Sequence, residues 1–337
     1  MKWISKAAIS RIALLLIVIG LFGIWGWRSI VFVPGESYRG NLPPLTESEM
    51  ILRGELKRDV EQIAVNGEHN YAAYNNLLAV ADFIETRLTE AGYEVRSQSY
   101  DVNGQSFRNL EVEKRGTEVP DEIVVIGAHY DSVIGSPGAN DNGSGVAAVL
   151  ALARHFVEKD FNRTVRFVAF ANEEPPFFQT DTMGSVVYAK QCRERNENIV
   201  AMLSLETIGY YDDKPGSQTY PLGLLDLIYP ITGNFISFIG NFASTSLVRQ
   251  VIGDFRRHTQ FPSEGAMLPD VVPGAGWSDH WAFWKENYPA LMVTDTAPFR
   301  YPYYHTPEDT PDKIDFDRLS RVVMGLQRSI EMLGNRS

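Results

Sequence analysis

Residues 123–131 read IVVIGAHYD, and residues 165–174 read VRFVAFANEE. Each is an apolar run, broken only by Arg166 in the second, that stops abruptly at polar, ligand-bearing residues. A strand with one wet face alternates apolar and polar residues, whereas an unbroken apolar run belongs to a strand covered on both faces. Between the two runs, residues 145–157 carry apolar side chains at helical spacing. Strand, helix and strand of these lengths make a βαβ unit, whose strands run parallel. Outward from it, residues 200–205 (VAMLSL) and 290–293 (ALMV) read as further buried strands. Residues 46–65, 74–91 and 317–333 place apolar residues three and four apart and predict amphipathic helices. Residues 93–102 and 107–113 alternate around Asn103-Gly104, a hairpin signal. The expected fold class is α/β, a three-layer sandwich with a mixed, mostly parallel central sheet.

In open α/β sheets, ligands bind beyond the carboxyl ends of the strands. The first run ends at His129 and Asp131, the second at Glu173 and Glu174, and the third at Glu206. Asp141, in GANDNGSG, and His305, in YYHTPEDT, lie on adjoining loops. Taken singly, each has an ordinary explanation: Asp141-Asn142 as a helix cap, Glu173-Glu174 as a solvated loop, His129 as a buried structural histidine. Together they gather five carboxylates and two imidazoles at one sheet edge. Carboxylates packed so closely repel, and either take up protons or hold a cation. The single cysteine, Cys192, allows neither an internal disulfide nor a thiolate metal site. Histidine and carboxylate donors without thiolates suit zinc, and manganese or cobalt less well.

The motifs HYDS, PGANDNGSG, FANEE, LETIGY, WSDH and YYHTPEDTPDKID, in this order, resemble the zinc-dependent M28 peptidases, the aminopeptidase and glutamate-carboxypeptidase superfamily. The resemblance implies two zinc ions per chain. It places His129 on one and His305 on the other, Asp141 between them, and Glu174 and Glu206 completing the two sets. It makes Glu173 the general base and Asp131 the residue that orients His129. Tyr304 matches a position that touches substrate in some relatives, and Asp279, in the SDH motif, a supporting one. One departure stands out: Glu206 occupies a position that is commonly Asp in the better-known members. The stretch Pro175-Pro176-Phe177-Phe178 is also distinctive, and is expected to form a wall of the cleft.

The chain has 337 residues and a formal net charge of −11, a poor match to phosphate backbones, so nucleic acid is not an expected partner. Its N-terminus has a different character. Residues 12–27, IALLLIVIGLFGIWGW, carry no charge; Lys2, Lys6 and Arg11 precede them and Arg28 follows. This pattern predicts a cytoplasmic stub (1–11), a transmembrane signal anchor (12–33), a Pro- and Gly-containing linker (34–45) and an M28-like zinc peptidase domain (46–337) outside the cytoplasm. A cleaved signal peptide is the competing expectation.

The expected activity is hydrolysis of peptide bonds, with an aminopeptidase as first choice. Arg300, near His305 in sequence, keeps a carboxypeptidase open. Other readings are a single-zinc acyltransferase resembling the glutaminyl cyclases, a two-metal hydrolase of another amide, and a non-catalytic binding ectodomain.

Overall fold

The computed structural model of the chain describes residues 6–336. Its sheet has eight strands: β1 (Arg96–Val102), β2 (Gln105–Lys114), β3 (Val119–His129), β4 (Arg163–Phe170), β5 (Asn198–Glu206), β6 (Ile236–Gly240), β7 (Ser263–Met267) and β8 (Ala290–Thr294). Their order is β1-β2-β4-β3-β5-β8-β6-β7. The four central strands β4, β3, β5 and β8 are parallel. The β1–β2 hairpin turns at Asn103 and Gly104, both at positive φ as a tight hairpin turn requires, and joins β4 antiparallel. Beyond β8 the direction reverses: β6 runs antiparallel to it, and β7 parallel to β6.

Among the described residues the eight α-helices are α1 (Lys6–Gly26), α2 (Glu47–Ala64), α3 (Tyr74–Glu90), α4 (Gly145–Phe156), α5 (Gly184–Glu194), α6 (Thr245–His258), α7 (His280–Lys285) and α8 (Phe316–Gly334). The three layers follow from alternation along the buried strands. Val124, Ile126 and Ala128 of β3 enter the larger core with α2, α3, α4, α6 and α8. Ile123 and Val125 enter a second core with α5 and α7. Both faces are therefore dry, which explains the unbroken apolar run. Each fully buried Val or Ile contributes about 1.5–3 kcal/mol. At the start of α2, Thr46 and Glu49 form a reciprocal capping box that fixes the entry of the chain into the domain.

The N-terminal segment departs in part from the expected layout. Among the described residues no helix is long and apolar enough to cross a membrane. The uncharged run between Arg11 and Arg28 covers about 24 Å against a hydrocarbon core of about 30 Å. Residues 28–33, expected to extend the span, belong instead to the domain surface. After α1 the backbone makes a wide helical turn, Trp27–Val31, and Arg249 of α6 donates to the carbonyls of Arg28 and Phe32. The stretch 34–45 is likewise no free linker. Arg256 of α6 donates to the carbonyls of Pro34 and Gly35, Ser37 Oγ accepts from the Ser263 N–H, and Arg321 of α8 donates to the Pro43 carbonyl. The segment is a strap along α6 and the edge strand β7.

Candidate metal centre

β3 ends at His129 and β5 at Glu206. Glu173 and Glu174 follow β4, and Thr294 ends β8. Because these strands are parallel, their ends share one edge. Asp141 reaches that edge from the loop before α4, and His305 from the loop before α8.

The side chains form two groups that share one residue: His129, Asp141 and Glu206, and Asp141, Glu174 and His305. Asp141 Oδ1 lies 3.5 Å from His129 Nε2, and Asp141 Oδ2 lies 3.2 Å from His305 Nε2. Glu206 Oε2 is 3.2 Å from His129 Nε2, and Glu174 Oε1 is 3.4 Å from His305 Nε2. A tetrahedral zinc site with bonds of 2.0–2.2 Å has donor–donor edges of about 3.3–3.6 Å. The spacings match that edge. Asp141 Oδ2 and Glu174 Oε1 are buried and receive no hydrogen bond, although an imidazole nitrogen lies close to each. The donors converge on common points rather than on one another, as ligands of a cation do. This donor set fits zinc.

The electrostatics agree. Burial, opposed by the imidazoles and reinforced by Asp141, pushes the Glu174 carboxyl up to about 7. Burial, with Glu174, Glu206 and Asp279 adding to it against the opposing pull of His129, pushes Glu173 far above the carboxylate range. Burial lowers the pKa of His305, but Asp141 and Glu174 outweigh it and raise the group to about 10. His129 is raised for the same reason by Glu206 and Glu173. Without a cation, the cluster relieves its negative charge by holding protons.

Each donor is braced. His129 Nδ1 donates to the backbone carbonyl of Asp131 at 3.0 Å, which points Nε2 at the site. The Asp131 carboxylate, 3.6 Å from that nitrogen, acts elsewhere: its two oxygens accept the N–H groups of Glu173 (2.9 Å) and Glu174 (3.0 Å). Asp131 therefore orients His129 through its backbone and the glutamate turn through its side chain. Glu206 is fixed by Ser278 Oγ (2.7 Å) on Oε2 and Thr207 Oγ1 (2.6 Å) on Oε1. Glu173 belongs to neither group; its Oε2 is 3.9 Å from His129 Nε2. Asp279 is fully buried with both carboxylate oxygens unpaired, and burial raises it to about 7. The Tyr304 ring stacks on His305 at 3.8 Å. Phe177 does not wall the cleft. It is buried in the core against Tyr71 and Phe107.

Beside the metal edge lies a cavity of about 90 Å³ that opens to solvent. Its floor is one face of the reversed end of the sheet: Ser237 and Ile239 of β6, Ala266 of β7, Met292 and Thr294 of β8. Glu206 and Tyr304 line it on the metal side, and Tyr220, Phe235 and Phe299 line it elsewhere. This cavity has no signature in the sequence, because β6 and β7 are five residues each and SEGAM has no strand pattern. Arg300 lies behind the lining, buried, with its guanidinium donating to Gln218 Oε1 and the Phe235 carbonyl. The sequence pattern assigns no role to two buried acids beneath the Asp141 loop, Asp295 just after β8 and Asp309. Asp309 falls inside the YYHTPEDTPDKID motif, four residues after His305, which was the available signal.

The sequence pattern of peptidase family M28 matches residues 109–328. The uncharacterised protein YfbL of Escherichia coli (strain K12) is 36% identical over 260 residues, covering 75% of this chain and 79% of YfbL. The chain belongs to peptidase family M28. Leucine aminopeptidase 1 of Arthroderma otae is 28% identical over 212 residues, 59% of this chain and 51% of that protein, so the match spans about half of the relative. An aminopeptidase from Aneurinibacillus sp. strain AM-1 has a TM-score of 0.65 at 16% identity, with 86% of this chain and 97% of that one covered. A glutaminyl cyclase from Porphyromonas gingivalis has a TM-score of 0.62 at 19% identity, with 83% and 98% covered. At these identities the two structures share the fold with this chain.

Proposed function

We propose that the chain is a cocatalytic two-zinc aminopeptidase. The observation that carries this reading is the position of Asp141, whose two oxygens face two separate histidine–glutamate pairs. One metal would be held by His129, Asp141 and Glu206, and the other by Asp141, Glu174 and His305. Zinc bound there supplies Lewis acidity for the scissile carbonyl and brings the pKa of water from 15.7 towards about 7.

The protein's own groups divide the remaining work. Glu173 stands at the same edge but outside both ligand groups, so its carboxylate is free to take a proton from the attacking water and return it to the leaving amine. Asp131 holds the backbone of Glu173 and Glu174 together, so that two adjacent glutamates keep separate tasks. The apolar cavity next to Glu206 and Tyr304 suits the side chain of an N-terminal residue. The acidic edge suits its amino group. The commitment of Arg300 to Gln218 and Phe235 argues against a carboxypeptidase, which needs a cation for the substrate carboxylate. The second complete ligand group argues against a single-zinc cyclase.

The test is zinc content and hydrolysis of aminoacyl chromogenic substrates in one preparation. Two zinc ions per chain with chelator-sensitive hydrolysis are expected. One zinc without peptidase activity would move the assignment to the cyclase chemistry, and no metal to a binding ectodomain.

We further propose that the catalytic domain works outside the cytoplasm, attached to a membrane by its N-terminal segment. The support is the basic residues before the apolar run and the exposed Leu14, Leu15, Leu16 and Ile17 of α1. Fractionation and protease treatment of intact cells test this. A full-length chain in the soluble cytoplasmic fraction would refute it.

A further inference from the structure

Asp309 is fully buried and holds the loop that carries Asp141. Its Oδ1 accepts the Asn140 N–H at 2.8 Å, and its Oδ2 accepts the Asp141 N–H at 3.1 Å. Its backbone carbonyl accepts the Ala139 N–H at 3.2 Å. Three consecutive amides of one loop thus end on one residue. Tyr301 Oη donates to Asp309 Oδ1 at 2.6 Å and fixes the carboxylate in turn.

The arrangement repeats that of Asp131, which accepts the two consecutive N–H groups of Glu173 and Glu174. Each of these aspartates lies close in sequence to a histidine of the centre, Asp131 two residues after His129 and Asp309 four after His305. Each clamps a loop from elsewhere in the chain that carries a carboxylate of the centre. The His129 segment thereby holds the turn of Glu174, which stands opposite His305. The His305 segment holds the loop of Asp141, which stands between both histidines. Neither ligand group can shift without loading the other.

We infer that Asp309 is a positioning residue for the bridging carboxylate, and that Asp131 and Asp309 together cross-brace the two ligand groups into one unit. This rests on the two-metal reading above. A buried carboxylate suits the task, because it offers two acceptors in a fixed plane to two adjacent amides. Asparagine offers one acceptor and turns an amide N–H₂ against the other donor.

The experiment compares the full-length wild-type chain with Asp309→Asn by competition for zinc against a chelating dye, alongside melting of both proteins in the metal-free state. Supporting groups of this kind typically alter metal affinity by about 10–100-fold. The expected result is a loss of that size at both sites at once, since Asp141 serves both, whereas His305→Ala weakens one site. Wild-type zinc affinity at both sites in a folded Asp309→Asn protein would overturn the inference. If the wild-type chain itself binds no zinc, the two-metal reading fails instead.

Amide hydrogen exchange of the metal-free wild-type protein supplies a readout that needs neither variant nor metal. Protection of the Asn140 and Asp141 amides is expected. Exchange at the rate of an open loop would overturn the clamp even if Asp309→Asn does not fold.

Discussion

Glu206→Asp is expected to remove one metal and leave the other. Glu206 Oε2 stands 3.2 Å from His129 Nε2. Deleting one methylene withdraws the carboxylate by about 1.5 Å, one carbon–carbon bond. The separation then exceeds the edge of about 3.3–3.6 Å that a tetrahedral zinc site demands. The backbone cannot follow. Glu206 is in register with Thr294 of β8, Asn142 Nδ2 donates to the Leu205 carbonyl at 2.9 Å, and the Thr207 N–H donates to Asn142 Oδ1 at 3.0 Å. The shorter side chain also leaves Ser278 and Thr207, whose hydrogen bonds to the carboxylate are each worth about 1.5–3 kcal/mol. Loss of about 2.7 kcal/mol corresponds to about 100-fold in affinity, which is the minimum expected at the His129 site. The group formed by Asp141, Glu174 and His305 does not include Glu206 and should keep its ion. The assay is zinc titration against a chelating dye with elemental analysis at a free zinc level that loads both wild-type sites. One zinc per chain is expected. Two, held with wild-type affinity, would show that the length of this side chain is not read by the site and would remove Glu206 from the ligand set.

Glu173→Gln should keep both zinc ions, since Glu173 lies outside both ligand groups, while kcat for an aminoacyl substrate falls by about 10²–10⁴-fold; near-wild-type turnover would dismiss it as the base. Arg256→Ala leaves the carbonyls of Pro34, Gly35 and Ser263 without their donor, and should destabilise the domain by about 2–4 kcal/mol in chemical denaturation and expose residues 34–45 to protease; a change under about 0.5 kcal/mol would mean that the strap is loosely held. Chelated protein should lose stability as pH rises. The folded state holds a proton on Glu174 up to about 7, above the 4.5 of a free carboxyl, so stability falls between those values. His305, raised from 6.5 to about 10, contributes stability that is complete below 6.5 and lost as pH climbs to 10. Zinc binds the deprotonated ligands and should reverse the slope; chelated melts that are flat or rise from pH 5 to 9 would contradict the assignment.

The parallel centre of the sheet was legible because its strands are buried on both faces, and such strands announce themselves as nearly continuous apolar runs. Those runs end at His129, Glu173, Glu174 and Glu206, so the metal edge could be read along with the fold. Asp141 and His305 sit on loops, and the recurrent motifs, more than any periodicity, singled them out. What escaped was whatever depends on contacts distant in sequence. β6, α6 and β7 cover the end of the sheet where strand direction reverses, and their short strands carry little pattern. The cavity floor, made from alternate residues of β6, β7 and β8, escaped for the same reason. Asp309 looked like one more loop acid, because its partners are backbone amides 168 and 169 positions away. The packing of residues 34–45 on the domain was hidden for a different reason. Proline and glycine in residues 34–45 suggested a tether, but carbonyls carry no sequence signature, and Arg256 and Arg321 bind the segment through carbonyls.

The reversal of β6 and β7 links these features. Ser237 at the start of β6 pairs with Thr294 at the end of β8, so the amino ends of the reversed strands lie at the metal edge. That is why a cavity floored by these strands opens beside Glu206. The strap runs the other way along β7: Ser37 meets Ser263 at the metal edge, Val33 lies against Gly265 in mid-strand, and Arg28 is held by Arg249, nearly two helical turns before Arg256 on α6. Followed backwards from Ser37, the chain therefore leaves the domain on the side opposite the metal centre. The two ligand groups therefore stand at the edge of the sheet away from the N-terminal segment, and the arginines of α6 hold the strap in that arrangement.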